Sequence, residues 1–264
     1  MFQNKKSRAR PKSDSVAEKV GYHKQMMEKR KYEDKIISIL GDSISTFKGI
    51  IPERNASRYP QDNLVTELNK TWWMMVINSF GARLGINNSW AGSQVSNIYD
   101  KPDGNLGPDR CMASMERIST LGDNGKPDVI FLYGGTNDLG RGLYGVGAFS
   151  PSLVPPKVDL DSTKWQTFIE GYIAAVMRIM YTYPEAELVA LLPGYVTGYF
   201  TPERLDLANG ELIKLCEYFN ISYIDLRKCG ITFENAAALL PDGIHPGKEA
   251  MKLISESIMK ALCE

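Results

Sequence analysis

The sequence has few cysteines and lacks a long apolar run. Its 264 residues include four cysteines, at positions 111, 216, 229 and 263, and no two of them form a C-x-x-C pair. This spacing predicts neither a zinc ribbon nor a disulfide framework, so we expect reduced, buried thiols. No apolar stretch approaches the roughly 20 residues that cross a membrane as a helix, and we expect no membrane insertion.

The N-terminal segment lacks the features of a secretory signal. Its first 15 residues are basic, but neither an apolar h-region nor a small-residue cleavage site follows them, so we expect a cytoplasmic protein. The formal net charge is zero, yet residues 1–35 hold 11 Lys and Arg against five Asp and Glu, and the remaining residues hold 20 against 26. We interpret 1–35 as a basic extension, partly helical or disordered, and 36–264 as one domain. The acidic excess of that domain predicts no nucleic-acid partner.

Apolar runs of strand length alternate with segments of helical period from residue 36 onward. Apolar stripes predict helices over 69–84, 168–180 and 205–219, and a last helix that begins near Pro246. The predicted strands are residues 36–40, 85–88, 129–133, 188–192 and 222–226.

This alternation predicts an α/β fold with a mainly parallel sheet of about five strands and helices on both faces. Ligands of such folds bind beyond the carboxyl ends of the strands, so the loops that leave those ends are the candidate site. Three of these loops are long or rich in glycine and proline, namely 45–63, 134–157 and 193–202.

The first predicted strand leads directly into Gly41-Asp42-Ser43-Ile44-Ser45. A serine delivered by a buried strand to the ligand edge of the sheet is placed as a nucleophile would be. Gly, Asp and Ser are also ordinary turn and helix-cap residues, so the pentapeptide alone is compatible with a simple turn.

A serine nucleophile needs a base, and the chain offers only His23 and His245. His23 lies in the charged N-terminal segment. His245 is held out of helical geometry by Pro246, and Asp242 stands three residues before it, with Gly243 between them to let the backbone fold back. A carboxylate there can orient the imidazole and stabilise its charged form, although an Asp cap at a helix start with an incidental histidine fits the same residues.

Two further segments follow strands at the same edge. Asn137, in Tyr133-Gly134-Gly135-Thr136-Asn137-Asp138, offers a side-chain amide donor, and the Gly92 N–H offers a backbone donor. Acyl transfer needs two or three such donors around the developing oxyanion, although Asn after Gly-Gly is also a common turn.

Taken in order, these four segments resemble the SGNH or GDSL hydrolase family over about residues 36–262. The resemblance implies a three-layer α/β/α sandwich, flavodoxin-like, with a catalytic domain over 36–264. It implies Ser43 as nucleophile, His245 as base, Asp242 as the residue that orients it, and Ser43, Gly92 and Asn137 as oxyanion donors. It implies an acyl-enzyme mechanism that uses no metal and no organic cofactor.

Motifs of other enzyme classes are either absent from the sequence or lie in the wrong structural position. Gly140-Arg141-Gly142-Leu143-Tyr144-Gly145 matches G-x-G-x-x-G, but it does not open a helix directly at a strand end as a dinucleotide site requires, and we interpret it as a flexible pocket loop. The P-loop, zincin and G-x-S-x-G motifs do not occur in the sequence.

The substrate is predicted from the long loops. They carry cations and aromatic side chains, of which Arg141, Tyr144 and Tyr195 are the candidate substrate-binding residues. This mixture suits a short, acetyl-type ester of a carbohydrate or related metabolite better than a long acyl chain, although any one of these aromatics can equally pack its own loop. Two other hypotheses remain: an acyltransferase that passes the acyl group to a sugar hydroxyl at the same site, and a non-catalytic binding protein.

Overall fold

Five parallel strands form a single sheet at the centre of the molecule. The computed structural model describes residues 31–96, 110–141, 145–161 and 165–264. The strands are β1 (Ile36–Gly41), β2 (Arg83–Ser89), β3 (Val129–Tyr133), β4 (Glu187–Leu192) and β5 (Ser222–Asp225). Their order in the sheet is β2-β1-β3-β4-β5, which confirms the predicted parallel α/β architecture.

The central strands are apolar because both of their faces are covered. Every residue of β3 is buried, and so is every residue of β1 after Ile36. Gly41, the last residue of β1, pairs with Ser89 on one side and Tyr133 on the other. The carboxyl ends of the three strands are therefore level, and the loops that leave them meet.

Helices cover both faces of the sheet. The α-helices are α1 (Trp72–Phe80), α2 (Met115–Ile118), α3 (Thr136–Arg141), α4 (Phe168–Thr182), α5 (Pro202–Phe219), α6 (Ala236–Leu239) and α7 (Lys248–Leu262). Short 3₁₀ turns lie at Ser43–Ser45, Leu68–Lys70, Ser119–Gly122, Pro151–Leu153 and Leu226–Lys228. Within the described ranges, none of these helices has the length and hydropathy to cross a bilayer.

The core is divided into two layers by the sheet. On one face, α1 and α7 pack against Ile37 and Ile39 of β1. On the other face, α4 and α5 pack against Leu40 of β1 and Ile130 of β3. Neighbouring side chains of a strand point to opposite faces, so one strand supplies both layers. The three-layer sandwich is thus confirmed.

Two predicted helix boundaries are wrong. The helix predicted over 69–84 is only α1, because Gly81 adopts a left-handed conformation (φ 65°) and caps it after Phe80. Leu84 continues the apolar period but lies in β2. The last helix begins at Lys248 with Gly247 as its N-cap, two residues after Pro246, so residues 245–247 remain a loop.

The globular domain begins before residue 36. Tyr32 is buried, and its ring centroid lies 5.0 Å from that of Phe80. Its hydroxyl donates to Glu187 at the start of β4 at 3.3 Å. Residues 31–35 therefore belong to the packed domain, while the rest of the predicted basic extension lies outside the described residues.

Candidate active site

Ser43 stands at the end of β1, in the first position of a 3₁₀ turn. Asp42 caps this turn, and its Oδ1 accepts a hydrogen bond of 2.9 Å from the Ile44 N–H. A Cβ on Gly41 would lie 2.8 Å from Ser89 Oγ and 2.9 Å from Ser45 Cβ, so only glycine fits at this strand end. The turn is thereby seated tightly against β2, with Ser43 6% exposed.

Ser43, His245 and Asp242 form one chain of hydrogen bonds. His245 Nε2 lies 2.8 Å from Ser43 Oγ, and His245 Nδ1 lies 2.8 Å from Asp242 Oδ2. Asp242 Oδ1 also accepts the backbone N–H groups of Ile244 (3.1 Å) and His245 (2.7 Å). Residues separated by about 200 positions in the sequence thus meet at the carboxyl edge of the sheet.

Contacts with the loop after β4 hold the loop that carries His245 in place. Gly243 has a φ of +83°, a conformation that favours glycine. Its carbonyl accepts the Thr197 N–H at 2.7 Å, and a Cβ on Gly243 would lie 3.0 Å from the Thr197 carbonyl oxygen. The loop after β4 therefore supports the Asp242–His245 segment.

The electrostatics keep the His245 imidazole neutral. Burial lowers the pKa of His245 and outweighs the opposing effect of the Asp242 carboxylate. Partial burial opposes ionisation of Asp242, but the backbone and side-chain hydrogen bonds from His245 lower the pKa of Asp242 to about 2. A neutral imidazole beside a serine hydroxyl, with a carboxylate behind it, is able to accept a proton.

Asn137 lies in the first turn of α3, directly after the Gly134-Gly135 pair. Its Nδ2 donates to the Ser93 carbonyl at 2.9 Å, and its Oδ1 accepts the Tyr199 hydroxyl at 3.3 Å. These two contacts fix the orientation of the amide. The predicted loop 134–157 therefore contains a helix, which follows a Gly135 that has a φ of +119°.

Gly92 follows β2, the neighbour of β1, and adopts a φ of +77°. Neither its backbone N–H nor that of Ser43 donates a hydrogen bond to any described residue. Unused backbone donors are rare where the chain is largely buried, and they usually serve a ligand or water. Two unused donors thus stand at the ends of adjacent strands.

Two buried carboxyl groups lie under the site. Asp138 accepts the backbone N–H of Val95 at 3.0 Å, the N–H of Ser96 at 2.8 Å and the Ser96 hydroxyl. Burial raises the pKa of Asp138 to about 6 and that of Asp42 to about 7. Asp138 ties the segment after Gly92 to α3, which carries Asn137.

The buried guanidinium of Arg117 joins the ends of β1 and β2. It donates to the carbonyls of Gly41 (2.9 Å), Asn88 and Arg110, and to the Ser93 hydroxyl. Burial lowers the pKa of Arg117 to about 9. This residue is a positioning element for the loop that contains Gly92.

The three predicted substrate-binding residues differ in their placement. Arg141 is the last residue of α3, and its Nη2 lies 3.0 Å from the point that a Cβ on Gly92 would occupy. Tyr195 is partly buried and packs against the α4–α5 core layer. Tyr144 lies outside the described residues. Gly140 belongs to α3, where the Tyr199 ring occupies the space of a Cβ, so this part of the predicted pocket loop is helical.

Arg117 was not predicted as part of the site, and Arg58 and Tyr199 belong to the cations and aromatic side chains of the long loops, without a predicted role of their own. Arg58 forms an ion pair with Asp242 Oδ2. No motif marks these residues, because their roles arise only when distant segments meet. Among the described residues, no group of three or more His, Cys, Asp or Glu side chains could hold a metal ion.

Comparison with known proteins decides the family. The model of the GDSL-like lipase/acylhydrolase family matches residues 35–262. The chain belongs to this family. It is therefore an ester hydrolase of the GDSL type. No curated protein sequence matches it significantly.

Solved structures of GDSL-type proteins share this fold. A protein of Bacteroides ovatus ATCC 8483 described as a GDSL-like lipase is 29% identical, with a TM-score of 0.64, and the match covers 86% of this chain and 96% of that one. A corresponding GDSL-like lipase of Bacteroides uniformis ATCC 8492 is 25% identical, with a TM-score of 0.61 and coverage of 86% and 95%. An acetyl esterase mutant with an acetate ion is 15% identical, with a TM-score of 0.56 and coverage of 86% and 96%, and shares the fold.

Proposed function

We propose that this GDSL hydrolase cleaves short-chain carboxylic esters, with acetyl esters foremost, through an acyl-enzyme on Ser43. The observation that carries the proposal is the chain of two 2.8 Å hydrogen bonds from Ser43 Oγ through His245 to Asp242. This is the geometry of a nucleophile, a base and the group that orients the base.

The first half-reaction acylates Ser43. Oγ attacks the ester carbonyl carbon while His245 Nε2 takes the hydroxyl proton, and Asp242 Oδ2 stabilises the imidazolium that forms. When the tetrahedral intermediate collapses, the bond from carbon to the leaving alcohol breaks, and Nε2 returns its proton to the alcohol oxygen. The alcohol departs, and Ser43 carries the acyl group.

The oxyanion of each tetrahedral intermediate needs donors that are already in position. The unused N–H groups of Ser43 and Gly92 are two candidates. The third is Asn137 Nδ2, which donates one of its two hydrogens to the Ser93 carbonyl and can donate the other to the oxyanion. Loss of one such donor costs about 10²–10³ in rate.

The second half-reaction releases the acid. Water enters the space left by the alcohol and gives a proton to His245 Nε2 as its oxygen attacks the acyl carbon. The same three donors receive the second oxyanion. Collapse then breaks the bond between acyl carbon and Oγ, the proton passes to Oγ, and free Ser43 returns.

The loops of residues 45–63, 134–157 and 193–202 carry cations and aromatic side chains rather than a continuous aliphatic run, which favours a short acyl group over a long chain. For the alcohol part we propose a sugar or related metabolite, whose ring would lie against Tyr199 beside Asn137.

The test is hydrolysis of p-nitrophenyl acetate, butyrate and octanoate by the wild type, Ser43→Ala and His245→Ala. We expect kcat to fall by about 10⁴ or more in both variants and acetate to have the highest kcat/KM in the wild type. Ser152→Ala, an exposed serine, and His23→Ala, the other histidine, are matched controls. Retained activity in Ser43→Ala would remove the proposed mechanism.

A further inference from the structure

The guanidinium of Arg141 lies beside the candidate oxyanion donors. Arg141 follows Asn137 by four residues in α3, so both side chains lie on one helix face. Arg141 Nη2 lies 3.0 Å from the point that a Cβ on Gly92 would occupy. The absence of a side chain at Gly92 therefore admits this cation to the rim of the site.

Arg141 has no counter-ion in the part of the chain that the structure describes. Its guanidinium forms neither a hydrogen bond nor an ion pair with a described residue, although the residue is partly buried. A guanidinium without a protein counter-ion at the edge of the site is available to pair with an anionic group of a ligand.

A second guanidinium converges on the same point. Arg110 Nη2 lies 3.3 Å from the Cβ position of Gly92 and donates to the Ala91 carbonyl at 2.6 Å. Two positive charges therefore approach the Gly92 backbone, and an anion there would be attracted to both. A planar guanidinium such as that of Arg141 suits carboxylate, sulfate and phosphate because its N–H groups match the oxygen spacing.

The charge of the whole domain makes these two cations distinctive. Residues 36–264 carry 20 Lys and Arg against 26 Asp and Glu. Cations concentrated at the site of an acidic domain raise the local concentration of anions there.

We propose that Arg141 binds an anionic oxygen group, a carboxylate or its sulfate or phosphate equivalent, carried by the ester substrate. The inference rests on the proposed function and narrows it, because the natural substrate is then a short ester with a negative charge near the scissile bond. That charge belongs either to the acyl part or to the alcohol part of the ester.

The experiment compares two pairs of esters that differ by one charge. Monoethyl succinate against ethyl butyrate places the charge on the acyl side, and 4-acetoxybenzoate against its methyl ester places it on the alcohol side. Each kcat/KM is first divided by the rate constant for hydrolysis of the same ester by hydroxide, which corrects for the intrinsic reactivity of the ester. We then expect the ratio of the anionic ester to its neutral partner to be about tenfold or more in one pair. Arg141→Gln should bring that ratio to about 1, and Arg141→Lys should retain part of it.

Controls separate this inference from the proposed function. Arg83→Gln removes an exposed arginine at the amino end of β2 and should leave the ratio unchanged. Ser43→Ala tests the mechanism, since residual hydrolysis of the neutral esters would overturn the proposed function whatever the ratio. A ratio that Arg141→Gln does not change in either pair overturns the anion site.

Calorimetry supplies a readout without turnover: Ser43→Ala should bind the preferred anionic ester about tenfold more tightly than Ser43→Ala/Arg141→Gln.

Discussion

Arg58 and His245 share one oxygen of the Asp242 carboxylate. Arg58 Nη2 donates to Asp242 Oδ2, the atom that also lies 2.8 Å from His245 Nδ1. Burial is the main cause of the lowered pKa of His245, and the positive charge of Arg58 lowers it further. A general base with a lowered pKa stays neutral, and so stays active, to lower pH.

Arg58→Gln is expected to move the acid limb of the pH–rate profile to higher pH. Removal of the Arg58 charge raises the pKa of His245, so the imidazole becomes protonated, and inactive as a base, at a higher pH than in the wild type. The measurement is kcat/KM for p-nitrophenyl acetate from pH 4.5 to 8.5, with Arg54→Gln as a control at another exposed ion pair. A limb that stays in place or moves to lower pH contradicts this assignment.

Asp242→Asn is expected to lower kcat by about 10²–10⁴, less than the loss of Ser43 or His245. The asparagine oxygen can still accept the backbone N–H groups of Ile244 and His245, so the loop should fold. Its amide nitrogen cannot accept from His245 Nδ1, and the imidazolium loses its counter-charge. Single-turnover kinetics check this, and a Tm close to that of the wild type shows that the loop is intact. Unchanged kcat would refute the role of Asp242.

Arg117→Met is expected to destabilise the domain by about 3 kcal/mol. The substitution leaves buried carbonyl groups at the ends of β1 and β2 without their donor and removes a positive charge near Asp42. Urea unfolding measures the free energy of unfolding. Arg54→Met, whose ion pair with Glu116 is exposed, should cost no more than about 1 kcal/mol. Equal losses in both variants would show that Arg117 has no special part.

Asp42 and Asp138 are expected to lower the free energy of unfolding as pH rises from about 4 to 7. Burial holds the pKa of Asp42 near 7 and that of Asp138 near 6 in the folded state, above the ordinary value of 3.8. At these two carboxyl groups the folded state binds more protons than the unfolded chain in this window, so their contribution to stability is present at low pH and declines as pH rises.

Asp42→Asn isolates this contribution. The asparagine oxygen can keep the bond to the Ile44 N–H, and the side chain cannot ionise. We expect the decline between pH 4 and 7 to be shallower than in the wild type, while Asp62→Asn, at an exposed position, should follow the wild type. A slope that does not change in Asp42→Asn would show that the carboxyl is ionised throughout this range.

Much of the fold could be predicted because strands buried on both faces are continuous apolar runs. The run at 129–133 coincides with β3, and the run at 188–192 misses only Glu187 of β4. The helix predicted over 69–84 was too long, since Leu84 satisfies the helical period by chance after Gly81 has ended the helix. The apolar period of the sequence does not show where a residue in the left-handed conformation ends the helix.

Some residues of the site could likewise be predicted from the sequence, and others could not. Ser43, Asp242 and His245 lie in short segments with turn residues at fixed spacing, and the structure brings all three into hydrogen-bond contact. Arg58 and Arg117 could not be predicted, because each acts on groups that only the folded chain brings near. Arg58 lies 184 positions from its partner Asp242.

The most direct test of the account is to look for the acyl group on Ser43. Wild-type protein is mixed with p-nitrophenyl acetate, quenched with acid within milliseconds, digested and analysed by mass spectrometry. We predict that the peptide containing Ser43 carries the mass of one acetyl group, which disappears on longer incubation and never forms in Ser43→Ala. An acetyl group on another residue that forms and disappears during turnover, or hydrolysis by Ser43→Ala at the rate of the wild type, would contradict it.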